Sequence, residues 1–230
     1  MGRMVQETLF FGVAVSLIGY EIGMLLKRKL QRAVFNPLLI SILFVMLVLN
    51  TFQIDYAIYY EGAKYLSYLL TPATVCLAIP LYEQLLLLKK NSKAIFAGIL
   101  AGVAASMGSV LALAVLFRFT HTEYVTMLPK SITTAIGMDV SKELGGITAI
   151  TTAVIIVTGI LGNMLADSLF RFFRIEEPIA RGLALGTSAH AIGTARAIEL
   201  GEVEGAVSGL AIAVSGVITV VGASLFAHLY

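Results

Sequence analysis

The sequence predicts an all-α membrane protein with about six transmembrane helices, a broken third span and two re-entrant hairpins in an inverted repeat. Three observations support this fold class. Hydrophobic residues form 58% of the 230 positions and charged residues only 13%, a balance far more apolar than that of an ordinary soluble domain. Basic residues recur after every second apolar stretch, and a polar, glycine-containing segment occurs twice in the second half of the chain.

Six apolar stretches are each close to the roughly 20 residues that a membrane-spanning helix requires. They cover residues 5–26, 35–52, 66–88, 94–117, 147–170 and 206–228. The first stretch has no small-residue cleavage site and is followed by Lys27, Arg28 and Lys29. We therefore predict that it is a retained helix and not a signal peptide.

The basic residues predict the orientation of the chain in the membrane. They follow the first, third and fifth stretches, as Lys27–Lys29, Lys89 with Lys90 and Lys93, and Arg171 with Arg174 and Arg181. The positive-inside rule places these loops in the cytoplasm. Six crossings then put both termini on the outer side of the membrane. We thus predict a multi-pass protein of the cell (inner) membrane. These loops account for the net charge of +2, and nothing indicates nucleic-acid binding.

The third stretch contains two prolines, Pro72 and Pro80. Each removes a backbone donor and bends a helix, so we expect a distorted centre in this span. An ordinary kink in a membrane helix is the simpler interpretation.

A repeated segment follows the fourth stretch. Ala135-Ile136-Gly137 precedes Glu143-Leu144-Gly145, and Ala191-Ile192-Gly193 precedes Glu199-Leu200-Gly201; residues 135 and 191, and residues 143 and 199, are each 56 positions apart. A repeated polar segment beside a spanning helix indicates the binding site of a transporter.

The predicted topology makes these copies two hairpins, near residues 121–146 and 180–202. The first begins and ends outside and the second begins and ends inside, so the copies face each other across the membrane. Irregular backbone at membrane depth requires surrounding protein or a water-filled cavity. Gly137 and Gly193 are the predicted helix breaks, and half-helices that end near the midplane direct N–H groups at an anion.

Polar side chains near the two predicted breaks are the candidates for substrate binding. In the first hairpin they are Lys130, Ser131, Thr133 and Thr134, and in the second they are Ser188, His190, Thr194 and Arg196. An ammonium beside several hydroxyls suits a small carboxylate, although Lys130 is equally consistent with a solvated loop. His190 binds substrate, relays a proton or only packs, and Arg196 contributes to the site or faces the cytoplasm.

Acidic and amide residues form a second set of candidates, for ion coupling or gating. They are Asp139, Glu143, Asn163, Asp167 and Glu199. Asp139 and Glu143 are four residues apart and would share one helical face, where like charges favour a surface position or one protonated partner.

An enzyme is the least favoured class. Ser188 lies two residues before His190, but no nucleophile and base are recognisably paired. The sequence contains no His-Glu-x-x-His helix, phosphate loop or paired-cysteine site, so neither a metal nor a cofactor is expected.

Several of these segments resemble the LrgB/CidB family, whose members are called antiholin-like proteins and whose plastid relatives carry glycolate and glycerate. The resembling segments are residues 71–74 (TPAT), 77–82 (LAIPLY), 128–134 (LPKSITT), 190–195 (HAIGTA) and 204–206 (EGA). Ala135 stands where a proline is usual, and Ser188-Ala189 reverses the common order before the histidine. His190 therefore matches the family pattern more securely than Ser188 does.

The resemblance implies a transporter of small monocarboxylates of the pyruvate, lactate, glycolate or glycerate class, with proton or ion coupling. It also implies a small LrgA/CidA-like membrane partner, a homo-oligomer and a link to murein hydrolase control. The alternative is an antiholin- or holin-like regulator of membrane lesions. Residues 1–62 would form a two-helix scaffold and residues 63–230 an LrgB-like transport core.

Overall fold

The computed structural model describes residues 10–30, 35–76 and 78–230, and over these residues the regular structure is entirely helical. The described helices are α1 (Phe11–Leu30), α2 (Pro37–Thr51), α3 (Tyr56–Tyr68), α4 (Leu70–Cys76), α5 (Ala78–Glu83), α6 (Leu85–Lys90), α7 (Ser92–Phe117), α8 (His121–Met127), α9 (Thr134–Glu143), α10 (Thr148–Phe172), α11 (Pro178–Leu200) and α12 (Glu202–Ala227).

Backbone contacts divide the chain into two compact units, Met1–Cys76 and Leu77–Tyr230. In the first unit α1 packs against both α2 and α3. The Ser16 hydroxyl lies 2.8 Å from the Tyr59 hydroxyl, and the Ser41 hydroxyl donates to the Ser16 carbonyl. Residue 62, after which the sequence places the end of the scaffold, lies inside α3, and the division into a scaffold and a transport core stays a prediction.

Four stretches of the described chain are long and apolar enough to cross a membrane: Tyr56–Glu83, Ser92–Phe117, Thr148–Phe172 and Glu202–Ala227. Helix α2 is also apolar but has only 15 residues, and α1 ends in three basic residues. These helices support a multi-pass membrane protein. The six predicted crossings and the outside position of both termini stay predictions.

The predicted third span, residues 66–88, covers the end of α3, the short helices α4 and α5, and the start of α6. Pro72 and Pro80 are each the third residue of a short helix, in α4 and α5. Proline is tolerated in a first turn because the N–H that it lacks has no intrahelical partner there. Leu77, between α4 and α5, lies outside the described residues.

Three long helices, α7, α10 and α12, frame the second unit. The C-terminal ends of α7 and α12 lie together, since the Tyr230 hydroxyl donates to the carbonyls of Phe119 (2.6 Å) and Ala114 (3.2 Å). Helix α8 joins that end to the start of α10: Tyr124 donates to the Phe226 carbonyl at 2.9 Å, and Thr151 donates to the Thr126 carbonyl at 2.9 Å. Helix α10 therefore runs opposite to α7 and α12.

Hairpin 1 comprises residues 121–143. Helix α8 leads to an irregular turn at residues 128–133, and α9 then returns from Thr134. The predicted break at Gly137 is wrong, since Gly137 lies inside α9 and the break precedes Thr134.

Hairpin 2 comprises residues 178–200, which form α11. The helix is interrupted at His190, whose φ of 42° and ψ of −134° are not helical. The predicted break at Gly193 is therefore three residues too late. Gly193 lies beside the Leu185 backbone instead. Residues eight apart in a straight helix would be roughly 12 Å apart along the axis, so the chain reverses at His190.

Contacts with α12 confirm this reversal. Gly182 of the first limb lies against Glu204, and Gly186 lies against Ser208 further along α12. On the second limb the order is opposite, because Thr194 contacts Ser208 and the later Ile198 contacts Gly205. The two limbs of hairpin 2 are thus antiparallel and pack on the same helix.

The 56-residue offset of the sequence repeat also relates the helices. Helices α7 and α10 begin at residues 92 and 148, which are 56 positions apart. Helix α9 begins at Thr134 and hairpin 2 breaks at His190, again 56 positions apart. These helix positions agree with the sequence offset, and the inverted repeat of re-entrant hairpins stays a prediction.

Candidate functional site

Both hairpins contact one residue of α10, Ile155, which is fully buried. Gly137 of hairpin 1 lies so close to the Ile155 side chain that a Cβ on the glycine would be 2.5 Å from Cδ1. From hairpin 2, His190 Nε2 lies 2.9 Å from the Ile155 carbonyl oxygen. Since a carbonyl only accepts, Nε2 carries the proton and donates it.

Hairpin 1 places a cation beside two hydroxyl groups. The Lys130 ammonium donates to the hydroxyls of Ser106 (3.3 Å) and Ser131 (3.2 Å), and Ser106 donates to Ser131 at 2.8 Å. Ser131 is buried and Lys130 is half-buried. In the described part of the chain no carboxylate forms an ion pair with Lys130. A partly buried charge held only by neutral hydroxyls has capacity for an anionic partner.

The N-terminus of α9 adds positive potential next to Lys130. Thr133 occupies the N-cap position with extended backbone (φ −62°, ψ 145°), and its side chain makes no capping hydrogen bond. The first N–H groups of a helix have no intrahelical acceptor, and the helix dipole is positive there. Thr133 and Thr134 are half-buried, so this end of α9 is partly accessible.

Hairpin 2 presents its hydroxyls differently. His190 is only 3% exposed, and Gly159 of α10 lies against its ring. The Thr194 hydroxyl lies 2.7 Å from the Ser208 hydroxyl, and the exposed Ser188 donates to the Ala184 carbonyl. These contacts hold the tip in place, so direct substrate binding by Ser188, His190 and Thr194 stays a prediction.

Arg196 lies away from the hairpin tips, where hairpin 2 returns along α10. Its guanidinium pairs with Asp167 at 2.6 Å and with Glu199 at 2.6 Å. Asp167 follows Ile155 by twelve residues on α10, roughly 18 Å along the helix axis. The structure thus brings three candidates together in one ion cluster at the end of α10.

The remaining coupling candidates occupy separate positions. Asn163 donates to the Ile192 carbonyl at 3.1 Å, close to the tip of hairpin 2. Asp139 and Glu143 are exposed on α9. Glu143 and Glu199 match in the sequence repeat, but in the described chain only Glu199 joins an ion pair.

Three residues of this region were not predicted from the sequence: Ser106, Ile155 and Ser208. Ser106 and Ser208 are hydroxyl residues inside otherwise apolar stretches, which was a usable signal. Ile155 contributes through its carbonyl and its packing, and an isoleucine in an apolar helix gives no signal. Among the described residues, no group of three His, Cys, Asp or Glu side chains could hold a metal ion.

Long apolar helices and two chain reversals that meet inside the second unit define a multi-pass membrane protein with a candidate site at the hairpin tips. The LrgB-like family matches residues 16–229 of the chain, and the chain belongs to this family.

Curated relatives agree with this assignment. The chain is 39% identical over 220 residues to the antiholin-like protein LrgB of Bacillus mycoides (strain KBAB4). This match covers 95% of the chain and 96% of the relative. The same values hold for the antiholin-like proteins LrgB of Bacillus cereus (strain B4264) and Bacillus anthracis (strain CDC 684 / NRRL 3495). No solved structure matches the chain.

Proposed function

We propose that this LrgB-like protein is a carrier of small monocarboxylates of the pyruvate, lactate, glycolate or glycerate class. The observation that supports it most is that both hairpins contact Ile155, through Gly137 of α9 and through the break at His190, while the Lys130 ammonium lies in the turn of hairpin 1. A lesion-forming protein has no need for two chain reversals that meet in its interior.

The chemistry of hairpin 1 supports a carboxylate as the substrate. An incoming carboxylate can pair with Lys130 and accept from the hydroxyls of Ser106 and Ser131 and from N–H groups at the start of α9. Hydrogen bonds between a charged donor and a carboxylate are about twice as strong as neutral ones. Substrate hydroxyl or keto groups would find further partners in Thr133 and Thr134.

The proposal includes the membrane arrangement. Hairpin 1 begins where α7 and α12 end, whereas hairpin 2 begins beside the opposite end of α12. In a bilayer the hairpins would enter from opposite sides, related by a pseudo-twofold axis in the membrane plane. Alternating access would expose the tips to each side in turn, with proton or ion coupling through the acidic candidates.

An antiholin-like regulator is the second candidate function. The observation in its favour is that the relatives are named antiholin-like protein LrgB. In this case the protein would act with a small LrgA/CidA-like membrane protein and influence murein hydrolase release. A homo-oligomer in the cell membrane is compatible with both functions.

Flux measurements in proteoliposomes distinguish the two functions. A carrier has one enclosed site, so external lactate should accelerate the exit of labelled internal lactate, the flux should saturate, and trapped dye should stay inside. Dye release in proportion to the amount of protein, without saturation, would instead support the regulator of lesions.

Lys130 tests the site itself. Lys130→Ala removes a charge-assisted contact, which typically contributes on the order of 1.5–3 kcal/mol, so the half-saturating lactate concentration should rise roughly ten- to hundred-fold. Lys130→Arg should restore only part of the affinity, because the planar guanidinium group of arginine does not replace the compact ammonium group of lysine. Lys142→Ala, at an exposed lysine of α9, is the matched control. Equal effects of the two alanine variants would exclude Lys130 from the site.

A further inference from the structure

A cavity of the second unit lies at the C-terminal end of α10. Its volume is about 340 Å³, and it is lined by Asp167, Phe170, Arg171, Arg181 and Leu200. Ligand pockets for small molecules begin at roughly this volume. The cavity lies roughly 18 Å from Ile155 along α10, so it is distinct from the site at the hairpin tips.

Two arginines of this cavity are held in place by backbone carbonyls. Arg171 donates from Nε to the Asp167 carbonyl at 3.2 Å, and Arg181 donates from Nε to the Ile175 carbonyl at 2.8 Å. The Arg181 guanidinium also lies over the Phe170 ring, 5.8 Å from its centroid. Because the Nε atoms hold each side chain, less conformational freedom is lost when the terminal nitrogens bind a ligand.

The terminal nitrogens of both arginines are available to an anion. In the described part of the chain neither guanidinium makes an ion pair, because the Asp167 carboxylate is paired with Arg196. The cluster of Arg171, Arg181, Arg196, Asp167 and Glu199 therefore has three cations and two anions.

We propose that this cavity, lined by Arg171 and Arg181, is a second binding site for a small carboxylate. It deepens the proposed function, on which it rests: the substrate binds here first on the predicted cytoplasmic side and then moves to the hairpin tips. Arginine is well suited to this role because its planar fork matches the two oxygens of a carboxylate.

Thiol labelling tests the site without transport. Cys76 is the only cysteine of the chain, so Cys76→Ser with Leu200→Cys places a single thiol in the cavity wall. A small neutral maleimide should modify it, and lactate should slow the modification, whereas the uncharged lactamide should not. Arg181→Gln should raise the half-protecting lactate concentration roughly ten- to hundred-fold.

Arg174→Gln is the matched control, since Arg174 is exposed in the loop between α10 and α11 and does not line the cavity. It should leave the protection by lactate unchanged. Equal effects of Arg174→Gln and Arg181→Gln, or no protection in the parent protein, would overturn the proposal. Lys130→Ala should not change the protection. If proteoliposomes show no lactate exchange but lactate still protects the thiol, the carrier function is refuted and the cavity site stands. If lactate exchange depends on Lys130 but lactate does not protect the thiol, the cavity site is refuted and the carrier function stands.

Discussion

Adding one methyl group at Gly159 should displace the ring that anchors hairpin 2. A Cβ at this position would lie 2.7 Å from Cε1 and 2.8 Å from Nε2 of His190. Carbon atoms in contact are normally about 3.5–4.0 Å apart, so the ring must move. Any such movement lengthens the 2.9 Å hydrogen bond from Nε2 to the Ile155 carbonyl and leaves the buried Nε2–H of His190 without its acceptor.

The magnitude follows from a matched comparison with Gly108→Ala in α7, where an added Cβ has no neighbour within 4 Å. Both changes replace a helical glycine by alanine and gain roughly 0.5–1 kcal/mol from helix propensity. Only Gly159→Ala also breaks a buried hydrogen bond, at a cost of roughly 1–3 kcal/mol. A difference of about 2 kcal/mol should separate their melting temperatures by roughly 4–8 °C in a unit of this size.

Thermal unfolding in detergent, followed by circular dichroism, measures this difference, and lactate exchange in proteoliposomes should decrease in Gly159→Ala but not in Gly108→Ala. The same substitution in a His190→Gly background completes a double-mutant cycle, which isolates the contact between residues 159 and 190. There, Gly159→Ala should lose most of its excess effect over Gly108→Ala, because only the contact of the new Cβ with Ile192 Cδ1 at 2.8 Å remains. Equal melting temperatures of the two single variants would refute the anchoring role of His190.

Two further predictions concern hairpin 1. Gly137→Ala should lower both the melting temperature and the rate of lactate exchange, since its Cβ would lie 2.5 Å from Cδ1 of Ile155. A lowered melting temperature with an unchanged rate of exchange would show that this contact serves packing and not transport. Glu123 accepts from the backbone N–H and the hydroxyl of Thr120, and these hydrogen bonds lower the pKa of its carboxyl. Because the folded pKa is lowered, its stabilising effect is complete above the ordinary pKa of about 4.3 and is lost as the pH falls through the lowered value. The melting-temperature difference between wild type and Glu123→Gln should therefore shrink on acidification, and a pH-independent difference would contradict this assignment.

Several features were predictable because they depend on local sequence. Apolar length and composition indicated spanning helices, and four described stretches meet that criterion. The repeat of 56 residues indicated two equivalent segments, and the starts of the long helices α7 and α10 lie at that same offset. Lys130 and Ser131 were recognisable as a cation next to a hydroxyl, and the structure adds Ser106 to them.

The positions of the breaks were less predictable. Glycine favours positive φ, so Gly137 and Gly193 were the natural choices, yet His190 adopts the positive φ. A non-glycine residue in such a conformation typically costs on the order of 1–3 kcal/mol and persists only where surrounding contacts hold it. Here the hydrogen bond to Ile155 and the packing of Gly159 hold the ring, and both contacts come from α10.

The sequence by itself determined the membrane class, the LrgB-like family, the repeat and the residue types available to bind a carboxylate. Only the tertiary structure decided which of these residues meet. Arg196 pairs with Asp167 across 29 positions of sequence, and His190 reaches Ile155 across 35. Such pairs depend on how α10 packs between the two hairpins, and packing of a long apolar helix is set by the shapes of all its neighbours, which no local pattern encodes.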